Sequence, residues 1–267
     1  MIKAAVLGSP ISHSLSPLLH STAYAQMGLS ASYEAIEVKA DTLARFMGER
    51  DETWTGFSLT MPLKEEAIAY ADHVDDLAQR INSANTLYRK AGQWHATSTD
   101  VVGFANALKM HNIDVKGHVV ILGAGATARA AAAACDNSGT QMTVINRSLA
   151  RVQTMSDAVL ESELSFRNWD DLSVLADADL VISTAPAGVT DSIDLPAKTS
   201  VPYFEALYKP WHTPASSLWA SRGGSVIDGL DLLIHQALAQ IAIFSGTAFD
   251  SALMYTKLRE VGLAALN

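Results

Sequence analysis

Val119-Val120-Ile121-Leu122-Gly123-Ala124-Gly125-Ala126-Thr127-Ala128 decides the fold of this chain. Four consecutive branched aliphatic residues suit a strand buried on both faces, and the glycines stand where that strand gives way to a helix. Gly123 permits a tight turn. Gly125 lets a pyrophosphate approach the helix N-terminus, whose free N–H groups and dipole favour an anion. Without a ligand, the same turn would simply pack helix on strand. A helix rich in alanine runs on to Cys135, and Met142-Thr143-Val144-Ile145 forms the next strand, so the segment reads as a parallel strand-helix-strand crossover.

The end of that second strand reports which dinucleotide the loop suits. An Asp or Glu there would bind a ribose 2′-hydroxyl, and it would repel a 2′-phosphate. The chain instead has Asn146-Arg147-Ser148, and a guanidinium pairs with a phosphate. NADP is therefore the expected cofactor, with Arg147 as main contact, Asn146 and Ser148 as helpers, and Gly123, Ala124, Gly125, Ala126 and Thr127 as the phosphate loop. A solvated loop arginine is the plainer account of Arg147.

Outward from this centre the expected fold class is α/β with two domains. Leu180 to Ser183, Val201 to Phe204 and Ser225 to Asp228 extend the sheet, Pro202 suggesting an irregular or edge position. From Leu232 the chain reads as helix through Gln236, Gln240 and Phe244. Toward the N-terminus a second βα rhythm runs from Lys3 to Leu59 and predicts a mainly parallel sheet. In it Ser16 can cap a helix that opens at Pro17 and closes at Gly28, and a further helix opening at Pro62 would carry Lys64 in its first turn. The segment from Asp100 to Lys116 joins the two rhythms.

Composition sets outer bounds. A length of 267 residues suits about two domains. A formal charge of −9 with no block of like charge disfavours nucleic acid and anionic membrane surfaces as partners. The single cysteine, Cys135, rules out an internal disulfide framework. No apolar run approaches the ~20 residues of a membrane span, and the N-terminal run is too short for a signal peptide, so a cytoplasmic location is expected. No metal site is expected.

Four polar segments in the first hundred residues exceed what a plain core requires: Gly8-Ser9-Pro10-Ile11-Ser12-His13-Ser14-Leu15-Ser16-Pro17, Ser58-Leu59-Thr60-Met61-Pro62-Leu63-Lys64, Ser83-Ala84-Asn85-Thr86, and Thr97-Ser98-Thr99-Asp100. A lysine beside a ketone can donate a proton to the oxygen as hydride reaches the carbon, and take it back in reverse. Asp100 near Lys64 would hold the ammonium in place. Taken singly, a solvated lysine and a capping aspartate would explain these residues as well. Gln236, in an apolar helical run, is a buried amide in need of partners.

In order and spacing these segments resemble the shikimate dehydrogenase family. Its His-Ser-x-Ser-Pro run stands at 13 to 17, its Asn-Val-Thr-x-Pro-x-Lys is similar to Ser58 to Lys64, and its Asn-Thr-Asp to Ser98-Thr99-Asp100. Its Asp-Gly-Leu element is met at Asp228 to Gln236. The resemblance implies a substrate-binding domain of residues 1–100 plus 236–267, facing a Rossmann-type NADP-binding domain of residues 101–235 across a cleft. It implies Lys64 and Asp100 as the catalytic pair, and Ser14 and Ser16 on the substrate carboxylate with Tyr208 as a further contact. Thr60, Asn85, Asp100 and Gln236 fall to the ring hydroxyls, and Thr184, Ala185 and Gly229 to the nicotinamide end. The activity implied is an oxidoreductase that reversibly reduces 3-dehydroshikimate to shikimate with NADPH in aromatic amino-acid biosynthesis, as a monomer or homodimer. Alternatives are a catabolic quinate/shikimate dehydrogenase using NAD and a non-catalytic NADP-binding regulator. Serine stands at 58, 98 and 183 where the family has asparagine, which leaves open whether those shorter arms reach a ligand directly or through water.

Overall fold

The computed structural model describes residues 1–191, 193, 195, 196 and 201–267. Its first strand, β1 (Ile2–Gly8), is followed by α1 (Ser16–Gln26), β2 (Ala31–Glu37), α2 (Leu43–Gly48) and β3 (Gly56–Leu59). Then come α3 (Glu66–Tyr70), β4 (His73–Val74), α4 (Asp76–Arg80), β5 (Thr86–Lys90), β6 (Gln93–Thr97) and α5 (Thr99–Met110). These strands form one six-stranded sheet in the order β2-β1-β3-β5-β6-β4. β1 runs parallel to β2 and β3, and β4 to β6, while β5 opposes both of its neighbours.

The antiparallel hairpin of β5 and β6 departs from the βα rhythm expected of this region. Its two-residue turn places both Ala91 (φ 51°) and Gly92 (φ 83°) in left-handed backbone, the conformation that matches the twist of the flanking strands. Alanine rarely takes that conformation, so this turn carries no strong mark in the sequence. Two local expectations also need correction. α1 is preceded by Leu15, and Ser16 is its first residue with no side-chain cap. Pro62 opens a turn instead of a helix, and α3 starts at Glu66, beyond Lys64. Gly28 does close α1, with φ 67° and the bonds Gly28 N–H to Ala25 O and Leu29 N–H to Tyr24 O.

The second sheet contains β7 (Gly117–Leu122), β8 (Thr140–Asn146), β9 (Glu163–Asn168), β10 (Leu180–Ser183), β11 (Tyr203–Glu205) and β12 (Val226–Ile227). All pair in parallel in the order β12-β11-β10-β7-β8-β9. α6 (Ala126–Cys135), α7 (Val152–Asp157) and α8 (Pro214–Ser221) belong to its crossovers. Val119, Val120, Ile121 and Leu122 are all fully buried, as a central strand demands. β11 lies between two strands and not at an edge, because Pro202 falls just before it and contributes only its carbonyl, to Val181 N–H. α8 was not expected either, although Thr213 caps it and Pro214 opens it.

The chain ends in α9 (Gly229–Ser245) and α10 (Ser251–Leu266). Two compact units result: Met1–Val102 with Ile234–Asn267, and Gly103–Leu233, so both changeovers fall inside helices, α5 and α9. Among the described residues, no helix is long and apolar enough to cross a membrane.

In the first unit β3 packs closely against α9 at Gly56. A Cβ there would collide with the Phe244 ring and lie 2.8 Å from the Leu87 carbonyl oxygen, on a strand paired with β3. Gly56→Ala is expected to cost about 2 kcal/mol by overpacking, read as a lower urea midpoint at unchanged m-value. An unshifted midpoint would show that the contact is looser than described.

Candidate active site

Lys64 is held by its main chain while its side chain points to a carboxylate. Thr60 N–H donates to Leu7 O (2.9 Å), Leu63 N–H to Thr60 O (2.9 Å), and Lys64 O accepts from Ala84 N–H (2.9 Å). Leu63 is fully buried beside it. From this turn Lys64 Nζ donates to Asp100 Oδ2 at 2.6 Å, with the side chains 13% and 7% exposed. Asp100 lies in the first turn of α5, where the helix dipole favours a negative charge. Burying an ion pair costs more than the pair returns unless the remaining lone pairs are also bonded. Here they are, since Asn85 Nδ2 donates to Asp100 Oδ1 at 2.9 Å.

Asn85, 2% exposed, is the hub of the cluster. Its Nδ2 also lies 2.9 Å from Thr99 Oγ1 and 3.2 Å from Gln236 Oε1. Its Oδ1 accepts from Thr99 N–H (2.8 Å) and Thr86 Oγ1 (2.8 Å). So Lys64, Asn85, Asp100 and Gln236, from four separate stretches of sequence, meet in one hydrogen-bonded group. Ser58 answers the question left by its short arm: its hydroxyl accepts from Tyr33 OH (2.6 Å) and donates to Gln240 Oε1 (2.8 Å), inside the core. Ser98 and Ser183 are buried as well. Thr99, Thr86, Gln240 and Tyr33 were given no role in the sequence reading, although Thr86 and Thr99 lay in two of its polar segments and Gln240 is a second amide one helical turn from Gln236 in an apolar run.

The other expected substrate contacts lie outside that hydrogen-bonded group. Ser14 Oγ accepts from Ser16 N–H at 3.3 Å, so the turn before α1 is tied by Ser14. Thr60 sits with its methyl group against Gly8, where a Cβ would collide with it, and Ser9 N–H donates to Met61 O at 3.0 Å. The ends of β1 and β3 therefore bring Thr60 beside the start of the Gly8 to Pro17 turn. Tyr208 belongs to the other unit, half-buried in the loop after β11.

In that unit the strand order reverses between β7 and β10, the switch point at which open parallel sheets bind ligands. Gly123 there has φ 110°, and a Cβ on it would lie 2.7 Å from Thr184 Oγ1. Thr184 in turn bonds to Leu122 O through both its N–H (2.9 Å) and its hydroxyl (3.0 Å). The loops after β7 and β10 are thus locked together, with Ala185 buried behind them. Gly125 differs: a Cβ there would meet nothing within 4 Å among the described residues. Packing does not require this glycine, and its bare backbone leaves room for a group to approach the first turn of α6, formed by Ala126 and Thr127. Ala124 is buried between the two glycines. At the end of β8, Asn146 Nδ2 donates to Ser148 O (2.6 Å), which shapes the loop, while Arg147 is exposed. Gly229 is needed for close approach, since a Cβ there would strike Leu207 and lie 2.6 Å from Ala206 O.

A doubly wound parallel sheet with a glycine loop at its switch point, joined to a unit bearing a buried lysine-aspartate pair, defines a dinucleotide-dependent oxidoreductase of two units. The family model of the shikimate dehydrogenase substrate binding domain matches residues 6–87, and that of shikimate / quinate 5-dehydrogenase residues 106–190. The chain belongs to the shikimate dehydrogenase family. It is 32% identical to the shikimate dehydrogenase (NADP(+)) of Ignicoccus hospitalis over 91% of this chain and 93% of that one. The crystal structure of Mycobacterium tuberculosis shikimate dehydrogenase is similar with a TM-score of 0.87 and 36% identity, covering 97% of this chain and 100% of that one. The Thermus thermophilus enzyme, solved in complex with NADP(H) and shikimate, is similar with a TM-score of 0.85 and 32% identity, over 97% of this chain and 99% of that one.

Beneath the cluster, His20 is fully buried, stacked on Tyr33 at 4.0 Å between ring centroids and 3.3 Å from Tyr24 OH through Nδ1. Burial pushes its imidazole down to about 3, opposed in part by the nearby Gln240 amide. A base held neutral in the fold but protonated in the unfolded chain below its ordinary value of 6.5 makes stability fall with pH between 6.5 and about 3. The slope is about 1.4 kcal/mol per pH unit at most. Urea titrations of wild type and His20→Phe from pH 7 to pH 4 check this: the wild type should lose the extra increment on acidification and the variant should not. Parallel curves would contradict it.

Proposed function

We propose that Lys64 and Asp100 are the catalytic pair with which this chain interconverts 3-dehydroshikimate and shikimate, using NADP. The observation that carries the reading is the 2.6 Å Lys64–Asp100 contact, largely shielded from water and braced by Asn85. When bound, NADPH supplies the hydride for the ketone carbon. Lys64 donates a proton to the ketone oxygen as negative charge develops there, and receives it back in the oxidative direction. Asp100 holds the ammonium in place and offers its carboxylate to a neighbouring ring hydroxyl. Asn85, Gln236 and Thr60 take the other hydroxyls, while Ser14 and Ser16 with Tyr208 take the carboxylate.

The residues present fit the dinucleotide. Gly123, Ala124, Gly125, Ala126 and Thr127 would hold the pyrophosphate, in the space that Gly125 keeps clear. Arg147, with Asn146 and Ser148, would hold the 2′-phosphate, and no carboxylate stands at those three positions to repel it. Thr184, Ala185 and Gly229 would serve the nicotinamide end. On this reading residues 1–100 with 236–267 bind the substrate and residues 101–235 the cofactor. A single cysteine, buried at Cys135, fits a reducing cytoplasm.

Steady-state assays with shikimate and with quinate, against NADP+ and NAD+, test the activity. Turnover of shikimate with NADP+ is expected to dominate; preference for quinate and NAD+ would favour a catabolic role, and no turnover by folded protein a non-catalytic one. Lys64→Ala is expected to lower kcat by about 100-fold or more with a smaller change in KM, because its bond strengthens in the transition state. An intact kcat would remove Lys64 from the chemistry. Arg147→Ala should weaken NADPH binding on the order of tenfold or more in a fluorescence titration, and unchanged affinity would sink the 2′-phosphate assignment.

A further inference from the structure

We propose that Gln240 is a positioning residue for the reaction: through Thr86 it reinforces the facing of the Asn85 amide that Thr99 N–H also holds, and so helps keep an N–H donor on Asp100. The proposal rests on the catalytic reading of Lys64 and Asp100 given above. It is carried by the order of donors along a buried chain of side chains that ends at Asn85 Oδ1, where Thr99 N–H donates as well at 2.8 Å.

The chain begins at Tyr33. Burial holds this phenol far above its ordinary range, so it keeps its proton and donates to Ser58 Oγ at 2.6 Å. Ser58 must then give its own proton onward, and the acceptor is Gln240 Oε1 at 2.8 Å. With its oxygen engaged there, Gln240 directs Nε2 to two acceptors, Asn85 O at 3.1 Å and Thr86 Oγ1 at 3.0 Å. Thr86, having accepted one hydrogen bond, donates its proton to Asn85 Oδ1 at 2.8 Å. Only Nδ2 of Asn85 is then left to face Asp100, at 2.9 Å.

The opposite amide orientation would bring two oxygens together at the Asp100 carboxylate, at a site where neither can turn to water. Exposure is 1% for Gln240, 0% for Thr86, 2% for Asn85 and 4% for Ser58. Gln240 also reinforces the Asn85 carbonyl that accepts Leu59 N–H (2.7 Å), so it grips the main chain next to the Lys64 turn as well. It stands one helical turn from Gln236, which places the amide that meets Asn85 Nδ2 and the amide that orients it on the same face of α9.

The test compares Gln240→Met, Thr86→Val and Thr86→Ser with Lys64→Ala in one assay of shikimate oxidation by full-length enzyme. Gln240→Met and Thr86→Val are expected to lower kcat by about 10- to 100-fold with KM for NADP+ unchanged, since each breaks the relay without touching the cofactor. Thr86→Ser, which keeps the hydroxyl and loses a methyl, should stay close to wild type. A purely structural role predicts the reverse order for the two Thr86 variants, because valine keeps the shape. Side-chain amide NMR gives a readout independent of turnover: the Asn85 Nδ2 protons should be shifted and slow to exchange in wild type, and lose both features in Gln240→Met. Wild-type kcat in Gln240→Met, or Thr86→Ser no better than Thr86→Val, overturns the proposal. Should Gln240→Met not fold, the Thr86 pair decides. Wild-type activity in Lys64→Ala would instead overturn the catalytic reading, and the Asn85 resonances would still report on the relay.

Discussion

A primary amide sealed from water has two hydrogens to give and a carbonyl to satisfy, and Asn85 meets this demand with partners from several stretches of the chain: Thr86 beside it, Thr99 and Asp100 at the start of α5, and Gln236 on α9. That requirement ties the start of one helix and the middle of another to the start of β5. It also turns the Lys64–Asp100 ion pair from a burial penalty into a stable arrangement, because the Asp100 oxygen not used by Lys64 is bonded to Asn85. Lys64 can then be held largely out of water without needing a helix to anchor it.

The nucleotide half is organised by sheet order. An all-parallel sheet with β7 beside β10 brings two loops to one place, and the left-handed Gly123 lets the loop after β7 lie against Thr184 of the other. Gly125, which none of the described residues crowds, keeps space clear at the first turn of α6. Chemistry on this fold thus needs two kinds of glycine, one demanded by backbone conformation and one by empty space.

The parts that local pattern controls were legible in the sequence. A buried strand ending in glycines where a helix begins was read from its own residues, whereas Arg147, Lys64 and Asp100 each had a plainer local account beside the functional one. The hairpin of β5 and β6 was not legible, because its turn uses Ala91 in a conformation alanine rarely adopts. Ser16 and Lys64 were placed in helical roles by punctuation rules that the turns around Ser14 and Pro62 override. Tyr33, Ser58 and Gln240 are linked only through space, Ser58 and Gln240 being separated by 182 positions, and no periodicity reports such a bond. Family resemblance pointed to the residues proposed to face a ligand, while the side chains bonded behind them came from the structure.

The central claim is that a braced Lys64–Asp100 pair meets the reacting group of the substrate. A crystal structure with shikimate and NADP+ bound tests it most directly. The reacting hydroxyl should lie within hydrogen-bond reach of Lys64 Nζ, about 2.6–3.2 Å, with an adjacent hydroxyl on Asp100 and Asn85 Nδ2 still donating to that carboxylate. Shikimate bound away from Lys64, or an Asn85 amide turned with its oxygen toward Asp100, would contradict it.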